Sequence, residues 1–82
     1  MPGGNERIKK LRWQSRRGMK ELDVLFEAFL VKQAGPLLDG AWPQLESLLG
    51  QEDDVIFDWV SGRDLPADPA VLALIETLKN AA

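Results

Sequence analysis

The sequence predicts an all-α protein, a small bundle of about five short helices within a chain of 82 residues. The first observation is that apolar side chains recur every three or four residues, which is the period of an amphipathic helix. The second is that capping residues and helix breakers divide the chain at short intervals, for example at Asp68-Pro69. A chain of this length forms one domain, so residues 1–82 are assigned to a single bundle, with residues 1–5 expected to be flexible.

The first predicted helix covers residues 6–17, with Asn5 as its N-cap. Gly18 follows the end of this helix, where a glycine adopts the left-handed backbone conformation at little cost, and we expect that conformation there. The residues on the weakly apolar side of the helix are Ile8, Leu11 and Ser15.

The strongest helical pattern covers residues 19–33 and stops at Gly35-Pro36, because proline cannot continue a helix. Glu21 and Asp23 lie in its first turn, where negative charge suits the helix dipole. The apolar stripe of this helix consists of Leu22, Leu25, Phe26, Phe29 and Leu30.

The third and fifth helices are predicted from their caps. The third begins after Asp39 and ends at Gly50, whereas the fifth begins with Asp68 as N-cap and Pro69 as its first residue. The side chains expected to point inward are Ala41, Leu45, Leu48 and Leu49 in the third helix and Leu72, Ile75 and Leu78 in the fifth.

The fourth helix is the shortest pattern. Asp53 or Asp54 caps an apolar run over residues 55–60, which closes at Ser61-Gly62. By pattern alone this run could also be a buried strand. The chain offers no second strand to pair with it, so a helix is favoured.

Composition excludes most kinds of catalytic site, because cysteine, histidine and tyrosine are absent. Disulfides and thiolate metal sites cannot form, and the commonest general base is missing. Paired carboxylates remain as an alternative, in Asp53 with Asp54 or in Glu21 with Asp23. Side chains one or two positions apart on a helix do not face each other, so we expect no catalytic residue, no metal and no enzyme activity.

No apolar run approaches the roughly 20 residues that a membrane-spanning helix needs. The N-terminal residues are charged and lack the apolar core of a signal peptide. We therefore expect a cytoplasmic protein without membrane insertion, and we take a monomer as the default state.

Charge is divided unevenly along the chain. Residues 1–20 carry seven bases and one acid, whereas residues 21–82 carry three bases and twelve acids, and the net charge is −3. A basic end on an acidic body favours a directional binding surface. One alternative is a small nucleic-acid-binding or regulatory protein that uses the basic N-terminal helix, although the acidic body argues against it and no nucleic acid is expected. The basic and aromatic residues concerned are Lys9, Lys10, Arg12, Trp13, Arg16 and Arg17.

The most specific motif is RRGMKELD, residues 16–23, which we call the signature segment. It contains Arg-Gly-x-x-Glu as Arg17, Gly18 and Glu21, together with Met19 and Asp23. This motif precedes an aliphatic and aromatic helix in a chain of about 80 residues, and the chain thereby resembles the succinate dehydrogenase assembly factor family (SdhE or YgfY, flavinylation factors). A weaker likeness follows in EDDVIFDWV, residues 52–60.

The resemblance implies an assembly chaperone. Its partner would be the flavoprotein subunit of succinate dehydrogenase, and also that of fumarate reductase, and it would promote the covalent attachment of FAD to a histidine of that subunit. It would need no cofactor of its own, since FAD is attached to the partner. The residues that the resemblance places at the partner surface are Trp13, Arg16, Arg17, Gly18, Met19, Glu21 and Asp23.

Several of these residues also have simpler interpretations. Gly18 could only end a helix, and Glu21 could only stabilise the helix dipole. Met19 fits either the core or the interface, and Trp13 could be exposed or could fold back onto the bundle. The aromatic residues Phe57 and Trp59 are assigned to the core rather than to a contact.

Overall fold

The computed structural model describes residues 2–81 of the chain. These residues form six helices and contain no strand, which confirms the all-α prediction with one helix more than expected. The helices are α1 (Pro2–Gln14), α2 (Lys20–Lys32), α3 (Ala34–Leu38), α4 (Leu45–Leu49), α5 (Asp53–Ser61) and α6 (Pro69–Lys79).

Every helix contributes to one apolar core. Helix α6 packs against α2 and α5, and α1 packs against α3. Leu74, absent from the predicted stripe of the last helix, is buried, whereas Leu25 and Leu72 are only half-buried. The largest fully buried side chains are Leu11, Leu22, Phe26, Phe29, Leu37, Leu45, Leu48, Ile56, Leu74, Ile75 and Leu78.

Helix α1 begins and ends earlier than predicted. It starts at Pro2, because proline suits the first turn of a helix, where its missing N–H is not needed. Asn5 therefore lies inside the helix, and its prediction as the N-cap is wrong. The helix ends at Gln14, and Ser15 donates its hydroxyl proton to the carbonyl of Arg12 at 2.9 Å.

The predicted third helix is in fact two elements. Gly35-Pro36 does not simply end α2 but lies within α3, since proline is tolerated in a first turn. Asp39 closes α3 instead of opening the next helix, and α4 begins only at Leu45. The half-buried residue Ala41 therefore lies in a turn, while α4 ends before Gly50 as predicted.

The turn before α4 contains Trp42 at φ 58°, a left-handed conformation that is strained for a bulky residue. Two contacts hold it there. The indole N–H of Trp42 donates to Gln33 Oε1 at 3.0 Å, and its ring meets Phe29 edge to face with centroids 5.8 Å apart. Tertiary contacts therefore stabilise this turn.

The last two helices follow their predicted ends closely. Helix α5 has Glu52 as its N-cap, in place of the predicted Asp53 or Asp54, and it closes at Gly62 with φ 83°. Helix α6 begins at Pro69, and its N-cap is Asp68, whose side chain accepts a hydrogen bond from the Ala70 N–H at 2.9 Å.

Arg7 connects α1 to the turn between α3 and α4. Its guanidinium donates to the carbonyls of Leu37 at 2.7 Å and Trp42 at 2.9 Å, and its Nε lies 2.9 Å from Glu46 Oε2. We call these four residues the Arg7 cluster. The hydrogen bond from Arg7 lowers the pKa of Glu46 below its ordinary value of 4.5.

Candidate partner-binding site

The signature segment passes from the connection after α1 into the first turn of α2. Its residues divide by exposure. Leu22 is buried in the core, while Arg17, Met19 and Asp23 are half-buried. The exposed members are Arg16, Gly18, Lys20 and Glu21. The segment thus presents both signs of charge to solvent while its apolar side is fixed in the core.

The side chain of Arg17 is largely enclosed, with 13% of it exposed. Its Nη1 lies 3.1 Å from the carbonyl of Gln51 and 3.2 Å from Asp53 Oδ1, and its Nη2 donates to the carbonyl of Leu49. We call Arg17, Leu49, Gln51 and Asp53 the Arg17 cluster. It joins the signature segment to the end of α4 and the start of α5.

Asp23 makes a second link to Arg17. Its Oδ1 accepts a short hydrogen bond from the backbone N–H of Arg17, at 2.6 Å, and the charge of the carboxylate strengthens such a bond. Arg17 is therefore held through its backbone by α2 and through its side chain by the α4–α5 turn. These two links position the connection between α1 and α2.

Gly18 does not adopt the left-handed conformation that the sequence predicts. Among the described glycines, positive φ values occur at Gly40 and Gly62. The reason is that α1 ends at Gln14, so Gly18 lies within an open connection and not directly after a helix. A Cβ atom added at Gly18 would meet nothing within 4 Å, so the position is open to an approaching surface.

Arg16 and Glu21 are exposed charges beside this open position. Neither forms an ion pair with any side chain that the structure describes. Both are therefore available to a partner, without an internal bond that would first have to break.

Trp13 and Trp59 differ in exposure. Trp13, near the end of α1, has 76% of its surface exposed, so it does not fold back onto the bundle. Trp59 and Phe57 are half-buried and pack against the core, as the sequence predicted. Met19 also packs against the core, which leaves Trp13 as the exposed aromatic residue next to the signature segment.

A groove of about 630 Å³ runs between the end of α1 and the outer face of α2. One wall carries Arg12 and Arg16 and the other carries Asp23 and Glu27, so charges of both signs line the groove. The exposed Val24 and Val31 extend it along α2. This extension was not predicted from the sequence, although the two valines are one heptad apart and off the buried stripe. The lining residues are Arg12, Ser15, Arg16, Arg17, Asp23, Glu27, Leu30 and Val31.

Neither a metal-binding cluster nor a membrane-spanning helix is found among residues 2–81. Within the described part of the chain, no group of three or more acidic side chains is arranged to hold a metal ion. Between residues 2 and 81, no helix combines the length and the apolar character that crossing a bilayer requires.

Comparison with known proteins identifies the family. A model of the family described as flavinator of succinate dehydrogenase matches residues 9–82. The FAD assembly factor SdhE of Pseudomonas aeruginosa is 38% identical to this chain over 72 residues, which are 87% of this chain and 84% of the relative. The SdhE proteins of Xylella fastidiosa and Coxiella burnetii are also similar.

The Xylella fastidiosa protein is 36% identical over 88% of this chain and 74% of its own length. The Coxiella burnetii protein is 34% identical over 88% of both chains. No solved structure matches this chain. Because the family model spans most of the sequence, including the whole signature segment, the chain belongs to the flavinator of succinate dehydrogenase family.

Proposed function

We propose that this chain is an assembly chaperone that binds the flavoprotein subunit of succinate dehydrogenase and promotes its covalent flavinylation with FAD. Membership of the family and the names of its relatives support this function. The observation that carries it is that Arg16 and Glu21 are exposed beside the open backbone of Gly18 and form no ion pair with the described side chains.

Direct contact with the partner is assigned to the exposed residues of this surface, Trp13, Arg16, Gly18 and Glu21. Aromatic and arginine side chains contribute strongly to protein interfaces, and a glycine lets two backbones approach closely. Met19 and Asp23 are assigned to positioning this surface, since each is half-buried and Asp23 binds the backbone of Arg17.

The chain has no histidine, so it cannot itself carry a histidyl-flavin bond. We assign the covalent chemistry to the flavoprotein, and we give this chain no catalytic residue and no cofactor of its own. A chaperone of this kind acts by binding the flavin-competent conformation of its partner more tightly than other conformations. The difference in affinity sets how far the population shifts.

The flavoprotein of fumarate reductase is a second proposed partner, because its binding would use the same surface. We also propose that the chain acts in the cytoplasm as a monomer. The nucleic-acid alternative is not supported, since Arg17, one of the bases on which it relied, binds groups within the chain.

The test is reconstitution of flavin attachment. Purified apo-flavoprotein is incubated with FAD, with and without this chain, and covalent flavin is measured as fluorescence of the denatured protein in a gel. We expect the chain to increase the rate of attachment. Equal rates with and without the chain would contradict the proposal.

A further inference from the structure

We infer that Arg17, although it belongs to the signature segment, is a positioning residue that fixes this segment to the α4–α5 turn and does not itself contact the flavoprotein. The inference rests on the proposed function and adds a consequence to it. The consequence is that Asp53, which lies 30 residues beyond the signature segment, affects binding through Arg17.

The guanidinium of Arg17 already has acceptors on its outer nitrogens. Nη1 lies near both Gln51 O and Asp53 Oδ1, and Nη2 donates to Leu49 O. Since 13% of the side chain is exposed, a partner could reach little of it without breaking these bonds. Arg16, its neighbour, is exposed and has no such bonds among the described residues, so it is better placed to meet a carboxylate of the partner.

Electrostatics favours the same arrangement. The last carbonyl groups of a helix have no intrahelical donors and carry partial negative charge, which a cation stabilises. Arg17 supplies that cation at the end of α4, where it binds the carbonyl of Leu49, and Asp53 balances its charge. The guanidinium therefore needs no carboxylate from a partner to offset the cost of its partial burial.

The position of the signature segment depends on these bonds. Residues 15–19 lie outside any helix, so few backbone bonds of their own fix their path. Their described links to the rest of the chain include the Arg17 side chain and the bond from the Arg17 N–H to Asp23. Without the side-chain link, residues 16–18 would sample more conformations, and binding would have to order them again at a cost in affinity.

The experiment is a double-mutant cycle. Arg17→Ala, Asp53→Asn and the double variant are titrated against apo-flavoprotein at a temperature where thermal melting shows each to be folded. We expect Arg17→Ala to weaken binding roughly tenfold and Asp53→Asn roughly threefold, and we expect the double variant to be no weaker than Arg17→Ala. Such non-additivity is the sign of two residues acting through one contact.

Asp54→Asn is the matched control. Asp54 is the adjacent carboxylate, is exposed, and accepts a hydrogen bond from the Val55 N–H, whereas the described bonds of Arg17 go to other residues. Its affinity should equal that of the wild type. If Asp53→Asn also binds like the wild type while Arg17→Ala binds weakly, Arg17 contacts the partner and the inference is wrong. Lowered melting points with unchanged affinities would likewise overturn it, because the cluster would then serve stability alone.

Failure of the proposed function gives a different result, since the wild-type chain would then not bind the flavoprotein. Amide hydrogen exchange in the free chain tests the positioning role without a partner. Exchange at residues 16–18 should be faster in Asp53→Asn than in Asp54→Asn and the wild type. Equal exchange in all three would overturn the inference by itself.

Discussion

The two arginine clusters use the same side-chain chemistry in regions with different surroundings. In the Arg7 cluster, Nε, Nη1 and Nη2 all have acceptors, and the bonds join helices that form the core. In the Arg17 cluster, Nε is buried without a hydrogen-bond partner among the described residues, as is Gln14 Oε1. A buried polar atom left unpaired costs about 1–3 kcal/mol, so the Arg17 region is the less completely satisfied of the two.

The surface around Arg17 is also less completely paired than the surface around Arg7. Beside Arg17 lie the exposed Trp13 and two charges, Arg16 and Glu21, that form no ion pair with a described side chain, whereas Arg7 and Glu46 pair with each other. We infer from this difference that the Arg7 region serves stability, and we propose that the Arg17 region serves contact with the partner. Substitutions near Arg17 should therefore lower affinity, and substitutions near Arg7 should lower stability.

The largest expected effect is on binding, at Gly18. Gly18→Arg places a long side chain on the open position where we propose that the partner approaches, so affinity for the apo-flavoprotein should fall roughly a hundredfold or more. Because Gly18 has no positive φ and a Cβ there meets nothing, the melting point should hardly change. Calorimetric titration and thermal melting measure the two quantities.

Gly35→Arg is the control for added bulk, since a Cβ at Gly35 also meets nothing within 4 Å and the residue lies in α3, outside the signature segment. It should bind like the wild type. Normal binding by Gly18→Arg would remove that position from the interface and would break the division between the two regions.

Trp13 should show the next largest effect. Trp13→Ala removes an exposed aromatic side chain of the kind that forms interface hot spots, so we expect a loss of about 2 kcal/mol, or roughly thirtyfold in affinity. Stability should not change, because 76% of the residue is exposed. Leu65→Ala, at a residue that is 61% exposed and lies between α5 and α6, is the control that should leave binding intact.

Arg7 should affect stability and not affinity. Arg7→Ala leaves the carbonyls of Leu37 and Trp42 without this donor, at an expected cost of about 2 kcal/mol in unfolding free energy. For a domain of this size, that corresponds to a fall of roughly 8–16 °C in Tm. A Tm like that of the wild type, or a loss of affinity in the folded variant, would contradict the division of roles.

The smallest expected effect is on the unfolding free energy at acidic pH. The pKa of Glu46 is lowered chiefly by its hydrogen bond from Arg7, with further attraction from Lys10. A carboxyl with a lowered pKa stabilises the fold above its unfolded pKa, and this stabilisation is lost as pH falls through the folded pKa. Between about pH 5 and pH 3, the wild type should therefore lose slightly more unfolding free energy than Glu46→Gln, by less than about 1 kcal/mol because the pair is partly exposed. Parallel pH curves for the two proteins would show that the pair contributes nothing.

Sequence reasoning predicted the helices that carry their own signals. The apolar stripe of α2 and the Asp68-Pro69 start of α6 depend on neighbouring residues alone, and both are confirmed. The division between α3 and α4 was missed because it depends on the left-handed Trp42, which distant contacts with Gln33 and Phe29 hold in place.

The candidate site was predictable in its location and less so in its internal contacts. The exposure of Glu21 and Gly18 follows from their places beside a buried stripe. The acceptors of Arg17 lie 32 to 36 positions along the chain, and two of them are backbone carbonyls, which leave no mark in a sequence. The sequence predicts that the side chain of Arg17 anchors the chain on the partner surface, and that role remains a prediction. It competes with the positioning role that we infer from the structure.

The most direct test of whether this surface, and not merely the fold, binds the flavoprotein is a paired measurement on Glu21→Gln. The substitution keeps the shape of an exposed side chain in the first turn of α2 and removes its charge. The helix dipole accounts for at most about 1 kcal/mol of stability, so the melting point should remain close to that of the wild type. Titration against apo-flavoprotein should show an affinity at least roughly tenfold weaker, the loss expected for one charge-assisted hydrogen bond. Unchanged affinity with a lowered melting point would show that Glu21 stabilises a helix and does not bind the partner.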